Sequence, residues 1–312
     1  MMIDILLTQP APAAIDARLQ ASYTVHRLYE AADREAFLDD VGPRIRGVVT
    51  GGAKGLSNAL MDRLPALEII AISGIGTDAV DLVQARRRGV HVTTTPGVLT
   101  DDVADMAMGL LIMTLRDLAS GDRLVRAGRW GSVAQPLARK VSDIHLGIVG
   151  LGRVGHAIAR RALSFNMTVH YTDLHEQPTS GYCFVPELIG LARCSDVLVL
   201  AASADQGQAI VTEEVLQALG PDGYLINVAR GKLVDEPALV AALANGTIAG
   251  AGLDVFADEP HVPEALFGMD NVVLQPHRAS ATEQTRLTMG EIVLKNLQAC
   301  FSRAPLLGAV TI

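Results

Sequence analysis

The chain has 312 residues, enough for one large or two medium domains with a sizeable apolar core. Its 49% hydrophobic content, 29 glycines and few aromatics exclude a disordered or fibrous protein and match ordinary globular α/β composition. A formal charge of −8 excludes a basic nucleic-acid-binding face as the dominant feature, while leaving room for a few arginines inside an anion pocket.

From the start, short strand-like runs at 3–8, 47–50, 68–72 and 91–94 alternate with helical stretches such as 57–64 and 79–88. That alternation predicts parallel strands joined by crossover helices. Thr95-Pro96-Gly97 interrupts it, and one long helix is expected from Asp101 to about Ala127. Asp101 and Asp102 in its first turn suit the positive end of a helix dipole. A second alternating series follows, with strands at 146–150, 168–171, 197–201, 224–228, 250–254 and 271–275. From Ala281 an amphipathic helix runs to about Ser302.

The apolar stretch 104–115 is too short to cross a bilayer, which takes about 20 residues. The first residues show no basic segment leading into an apolar one. Cys183, Cys194 and Cys300 have no CxxC spacing, and an odd count suits a reducing compartment. The expected setting is cytoplasmic, with neither membrane nor nucleic acid as partner.

The strand 146–149 runs into Gly150-Leu151-Gly152-Arg153-Val154-Gly155 and then a helix. Gly150 permits a tight turn, Gly152 lets backbone approach a pyrophosphate, and Gly155 lets helix and strand pack closely. The helix N-terminus then offers free N–H groups to phosphate, with Arg153 and Val154 in the turn. Asp173 ends the next strand 18 residues after Gly155, where an acid hydrogen-bonds the adenosine ribose hydroxyls. Asp173 opposes a 2′-phosphate and Leu174 after it is not basic, so NAD is favoured and NADP is the alternative.

Three motifs then close successive strands: Asn227-Val228-Ala229-Arg230-Gly231, Asp254-Val255-Phe256-Ala257-Asp258-Glu259-Pro260 and Gln275-Pro276-His277-Arg278-Ala279-Ser280. Hydride transfer to a 2-oxo acid needs a guanidinium for the carboxylate. It also needs a proton donor for the carbonyl oxygen and a carboxylate to orient that donor. Arg230, Glu259 and His277 have those chemistries. The remaining histidines show no metal-ligand spacing, and no metal is expected.

Taken together, these motifs resemble the D-isomer-specific 2-hydroxyacid dehydrogenase family over essentially the whole chain. The segments after Pro96 and around Trp130 look most like its glyoxylate/hydroxypyruvate and hydroxyphenylpyruvate reductase branch. The resemblance implies two Rossmann-like, doubly wound parallel-sheet α/β domains. A dinucleotide-binding domain, 97–280, is inserted into a substrate-binding domain made of 1–96 and the C-terminal helix segment 281–312. It implies NAD(P)H-dependent reduction of a small 2-oxo acid to the D-2-hydroxy acid, with Arg230 holding the carboxylate and His277 as acid/base beside Glu259. Asp254, Thr100 and Ala229 become cofactor positions, Ile75 and Gly76 become substrate-cradling backbone, and a homodimer built on the long helix is implied.

Alternatives within the family are D-lactate, phosphoglycerate, formate or phosphite dehydrogenases; outside catalysis, a NAD-sensing binding protein of the same fold. The chain departs from the family at Ala201-Ala202-Ser203, which lacks a common proline, and at Arg278-Ala279, where an apolar residue and Gly are usual. It also has Leu174 where many NADP-using relatives have Arg, and Ile72 where phosphoglycerate dehydrogenases have Arg nearby.

Overall fold

A computed structural model gives the structure of the protein and describes residues 2–203 and 208–311. The chain divides into two compact units, 1–99 with 280–312, and 100–279. Residues 97–99 and Ser280, which the sequence reading assigns to the inserted segment, fall with the first unit, because the helix that opens the second begins only at Thr100.

The first unit carries β1 (Asp4–Leu7), β2 (Thr24–Arg27), β3 (Ile45–Gly51), β4 (Ile69–Ser73) and β5 (His91–Thr93). All pair in parallel, in the order β2-β1-β3-β4-β5. Runs such as Ile5-Leu6-Leu7 and Ile69-Ile70-Ala71-Ile72 are apolar without alternation because both faces of the sheet are covered. On one face Ile15 and Leu19 pack with Val293 and Leu297 of the C-terminal helix Glu283–Phe301; on the other lie Leu38, Met61, Leu64 and Ala85.

In the second unit, β6 (His145–Val149), β7 (Thr168–Thr172), β8 (Cys183–Phe184), β9 (Val197–Leu200), β10 (Tyr224–Asn227), β11 (Gly250–Leu253) and β12 (Val272–Leu274) form one parallel sheet. Its order is β12-β11-β10-β9-β6-β7-β8. From β6 the chain proceeds to β7 on one side and later to β9 on the other. The order reverses there, and such switch points open a crevice at the C-terminal ends of the strands where ligands bind.

The structure corrects the sequence reading at one long element. The helix expected over 101–127 is two helices, Thr100–Leu115 and Leu118–Arg126. Asp117 between them has φ 51°, a left-handed conformation that a short polar side chain tolerates and that stops helix propagation. Just before the break, Thr114 Oγ1 donates to the Leu110 carbonyl, a bond that bends helices. Two edge strands, β2 and β8, were also not anticipated; they are short and partly polar, so they carry little apolar signal. Among the described residues no helix is long and apolar enough to cross a membrane.

Candidate active site

Seven parallel strands put all their C-terminal ends along one edge of the second sheet, so every loop following a strand meets its neighbours there. The glycine turn follows β6. Gly150 has φ +90°, and a Cβ on it would lie 2.7 Å from Ala202 Cα in the loop after β9. Only glycine satisfies both demands, which is why the turn closes at the switch point. Around Gly152, by contrast, the space is open, with no atom within 4 Å of a Cβ position.

The helix Arg153–Leu163 starts directly after Gly152. Its first N–H groups have no intrahelical acceptor and the positive end of its dipole lies at the turn. An exposed glycine backbone beside unpaired N–H groups is the cradle a dinucleotide pyrophosphate needs, so the residues present fit such a cofactor. Asp173, just past β7, accepts from Leu151 N at 2.8 Å and from Leu174 N at 2.7 Å. These bonds hold its carboxylate beside the turn, while the Leu174 side chain stays exposed.

Further along the same edge, the loops after β10, β11 and β12 lie side by side. Asn227 shapes the first: its side chain accepts from Ala229 N at 3.0 Å and donates to the Arg230 carbonyl at 2.9 Å. Arg230 donates from Nη1 to the Ala229 carbonyl at 2.7 Å. Gly231 follows at a point of close backbone approach, where a Cβ would sit 1.9 Å from the Phe256 carbonyl carbon. The β10 and β11 loops therefore touch through backbone.

Asp254, 1% exposed, directly follows β11 and ties it to the third loop. Its two carboxylate oxygens accept from Arg278 N at 2.8 Å and Ala279 N at 2.9 Å. The Asp254 carbonyl accepts from His277 N at 2.8 Å. His277 itself has φ +47°, a conformation uncommon for a non-glycine residue and maintained by these surrounding bonds. Burial pushes the Asp254 carboxyl up, against the two backbone donors that favour its charged form.

Glu259 meets His277. Its Oε2 is 2.6 Å from His277 Nδ1, and its Oε1 accepts from Phe256 N at 3.1 Å. Burial acts to raise the Glu259 carboxyl, but the His277 hydrogen bond and charge, the Phe256 N–H and the charge of Arg230 outweigh it and hold the group below its ordinary value. The structure thus brings Arg230, Glu259 and His277 into one electrostatic cluster. Three supports escaped the sequence reading: Asn227, Gly231 and Glu236, whose Oε1 accepts from Ala257 N at 2.9 Å. Asn227 and Gly231 flank Arg230 within one motif, a signal available in the sequence; Glu236 carried none.

Among the other expected positions, Val154 and Gly155 lie in the first turn of the helix after the glycine turn, and Thr100 opens the helix Thr100–Leu115. Ile75 and Gly76 belong to the first unit, in the loop after β4, with Ile75 exposed and Gly76 packed under Gly52. Among the described residues no group of three or more His, Cys, Asp or Glu is arranged to hold a metal ion.

Known proteins share this architecture. Residues 108–279 match the family described as D-isomer specific 2-hydroxyacid dehydrogenase, NAD binding domain. A 2-ketogluconate reductase of Gluconobacter oxydans is 44% identical over 308 residues, 98% of both chains. A hydroxyphenylpyruvate reductase of Plectranthus scutellarioides is 42% identical over 99% of both. Among solved structures, an NADPH-dependent glyoxylate/hydroxypyruvate reductase from Sinorhizobium meliloti, in complex with NADP and malonate, superposes with a TM-score of 0.92 at 42% identity, covering 100% of this chain and 97% of that one.

Proposed function

The chain belongs to the D-isomer-specific 2-hydroxyacid dehydrogenase family, and from that premise we propose that it reduces a small 2-oxo acid of the glyoxylate or hydroxypyruvate type to the D-2-hydroxy acid. The observation that carries this reading is the 2.6 Å Glu259–His277 pair, set within the field of Arg230 on the sheet edge that also bears the glycine turn. A bound nicotinamide dinucleotide supplies the hydride, a reaction that side chains alone do not perform. Everything else falls to residues of this chain.

Arg230 binds the substrate carboxylate and polarises the adjacent carbonyl, as a fixed guanidinium does. His277 gives a proton to the carbonyl oxygen in reduction and takes it back in oxidation. With Nδ1 engaged by Glu259, Nε2 is the ring nitrogen left for substrate. Glu259 stabilises the protonated ring and fixes its plane. The cofactor positions are Gly150, Gly152, Arg153, Val154, Gly155, Asp173, Thr100, Ala229 and Asp254.

NADH is the preferred cofactor in this reading, because the Asp173 carboxylate sits at the turn and exposed Leu174 offers no cation to a 2′-phosphate. The protein works as a homodimer in the cytoplasm, a reading supported by the exposed apolar residues of 118–140 and by three unpaired cysteines. The test is steady-state turnover of glyoxylate, hydroxypyruvate, pyruvate, 2-ketogluconate and hydroxyphenylpyruvate with NADH and NADPH. Arg230→Ala is expected to lower kcat/KM by about 10²–10³, the usual cost of losing one preorganised donor. Tight NADH binding without oxidation by any of these acids would instead identify a NAD-sensing binding protein.

A further inference from the structure

Two side chains grip the glycine turn at a single residue. Leu151 N–H donates to Asp173 Oδ2 at 2.8 Å, and the Leu151 carbonyl accepts from Gln177 Nε2 at 3.1 Å. Gln177 Oε1 lies 3.1 Å from His156 Nε2, and the Gln177 backbone N–H donates to the Tyr171 hydroxyl at 2.7 Å. Tyr171 has no exposed surface, so the anchor at that end is a rigid part of β7.

These bonds fix the chemistry of each group. Only the NH2 of an amide can donate to a carbonyl, so Gln177 must turn its oxygen toward His156. The ring nitrogen facing that oxygen must then carry hydrogen, which fixes His156 with its proton on Nε2. A continuous chain of donors and acceptors results, from His156 through Gln177 to Leu151 and on to Asp173. It closes the segment 173–177 at both ends, with Leu174, His175 and Glu176 exposed between them.

We propose that Gln177 is a positioning residue for the dinucleotide and sets the discrimination between NADH and NADPH. The inference rests on the reading that Asp173 faces the adenosine ribose. A carboxylate accepts from a ribose 2′-hydroxyl only within hydrogen-bond reach, and its repulsion of a 2′-phosphate weakens as distance and solvent grow between them. Discrimination therefore depends on holding the carboxylate still. Gln177 does this by pinning the far end of the segment to the same residue that Asp173 grips. His156 acts one step further out, by orienting the Gln177 amide.

The test compares Gln177→Leu, which keeps the bulk and removes the hydrogen bonds, with His156→Asn, Asp173→Ala and the Asp173→Ala/Gln177→Leu double variant. Kd for NADH and for NADPH is measured on substrate-free protein by fluorescence titration, alongside kcat, KM and amide exchange at Leu151. Gln177→Leu is expected to raise Kd for NADH about 3–20-fold, the worth of one or two hydrogen bonds. Kd for NADPH should change little, the kinetic loss should fall on KM rather than kcat, and Leu151 exchange should speed up. His156→Asn should give a smaller loss in the same direction. In the double variant Gln177→Leu should add nothing to Asp173→Ala, since both act through one carboxylate.

Equal losses for both cofactors, no loss, or full additivity overturns the assignment. Should Asp173→Ala abolish discrimination while Gln177→Leu leaves it intact, the Gln177 assignment alone falls. Should Asp173→Ala leave discrimination unchanged, the ribose reading falls and this inference with it.

Discussion

At the residue scale, Glu259 shows how one carboxylate serves both stability and chemistry. Its folded value is depressed relative to the unfolded chain, so it contributes stability that is fully present above the ordinary glutamate value of about 4.3 and is lost as pH falls through the depressed folded value. Its side chain is 26% exposed, which screens the pair, and a contribution of about 1 kcal/mol is expected rather than the full worth of a buried charged bond. Urea unfolding of the wild type and Glu259→Gln from pH 3 to 7 measures this directly. The wild type should lead above about pH 5.5 and lose that lead as the pH falls into the acid range. A margin that widens in acid contradicts the assignment. Activity follows a separate logic. The neutral amide of the Glu259→Gln variant still hydrogen-bonds the imidazole but cannot stabilise its protonated form, so kcat should fall by about 10²–10³ at neutral pH.

At the scale of elements, the site is built where loops after neighbouring strands press together, and Gly231 is the tightest point. A Cβ there would sit 1.9 Å from the Phe256 carbonyl carbon and 2.4 Å from Ala257 N, so main chain rather than a flexible side chain must move. Gly231→Ala is expected to destabilise the protein by about 1–3 kcal/mol, as overpacking does. It should also lower kcat/KM far more than it lowers affinity for NADH, because the turn after β6 is untouched; parallel loss of both would place the strain elsewhere. This contact also marks the boundary of what the sequence discloses. The glycine turn, Asp173 and the Arg230–Glu259–His277 trio were legible because each sits in a local motif at the end of an apolar strand. Glu236 reaches Ala257 from 21 positions away and leaves no local pattern, whereas Gly231 stands in the Arg230 motif although the residue that constrains it lies 25 positions on. The helix break at Asp117 was hidden for the opposite reason. Its neighbourhood reads as a continuing helix, and a single left-handed residue overrides that propensity.

At the scale of the whole molecule, the described chain exposes a run of apolar side chains in one extended segment. Trp130 is 83% exposed and Leu137 fully so, with Val125, Val133 and Leu118 exposed in the same stretch and nearly every residue of 128–140 open to solvent. Scattered exposed apolar residues are ordinary; a run concentrated in one extended segment marks an interaction surface. Two such segments related by a two-fold axis would cover each other, the commonest closed symmetry for a soluble protein. A stable interface of that kind buries about 1,200 Å² or more. Sedimentation velocity at micromolar concentration should therefore report twice the 33.0 kDa chain mass. Placing charges in the segment, as in Val133→Lys/Leu137→Lys, should shift the population toward monomer. NADH affinity should stay intact, since neither residue belongs to β6, β7 or the glycine turn that follows β6. A wild-type protein that sediments as a monomer at tens of micromolar would show that this surface serves something other than a second copy of the chain.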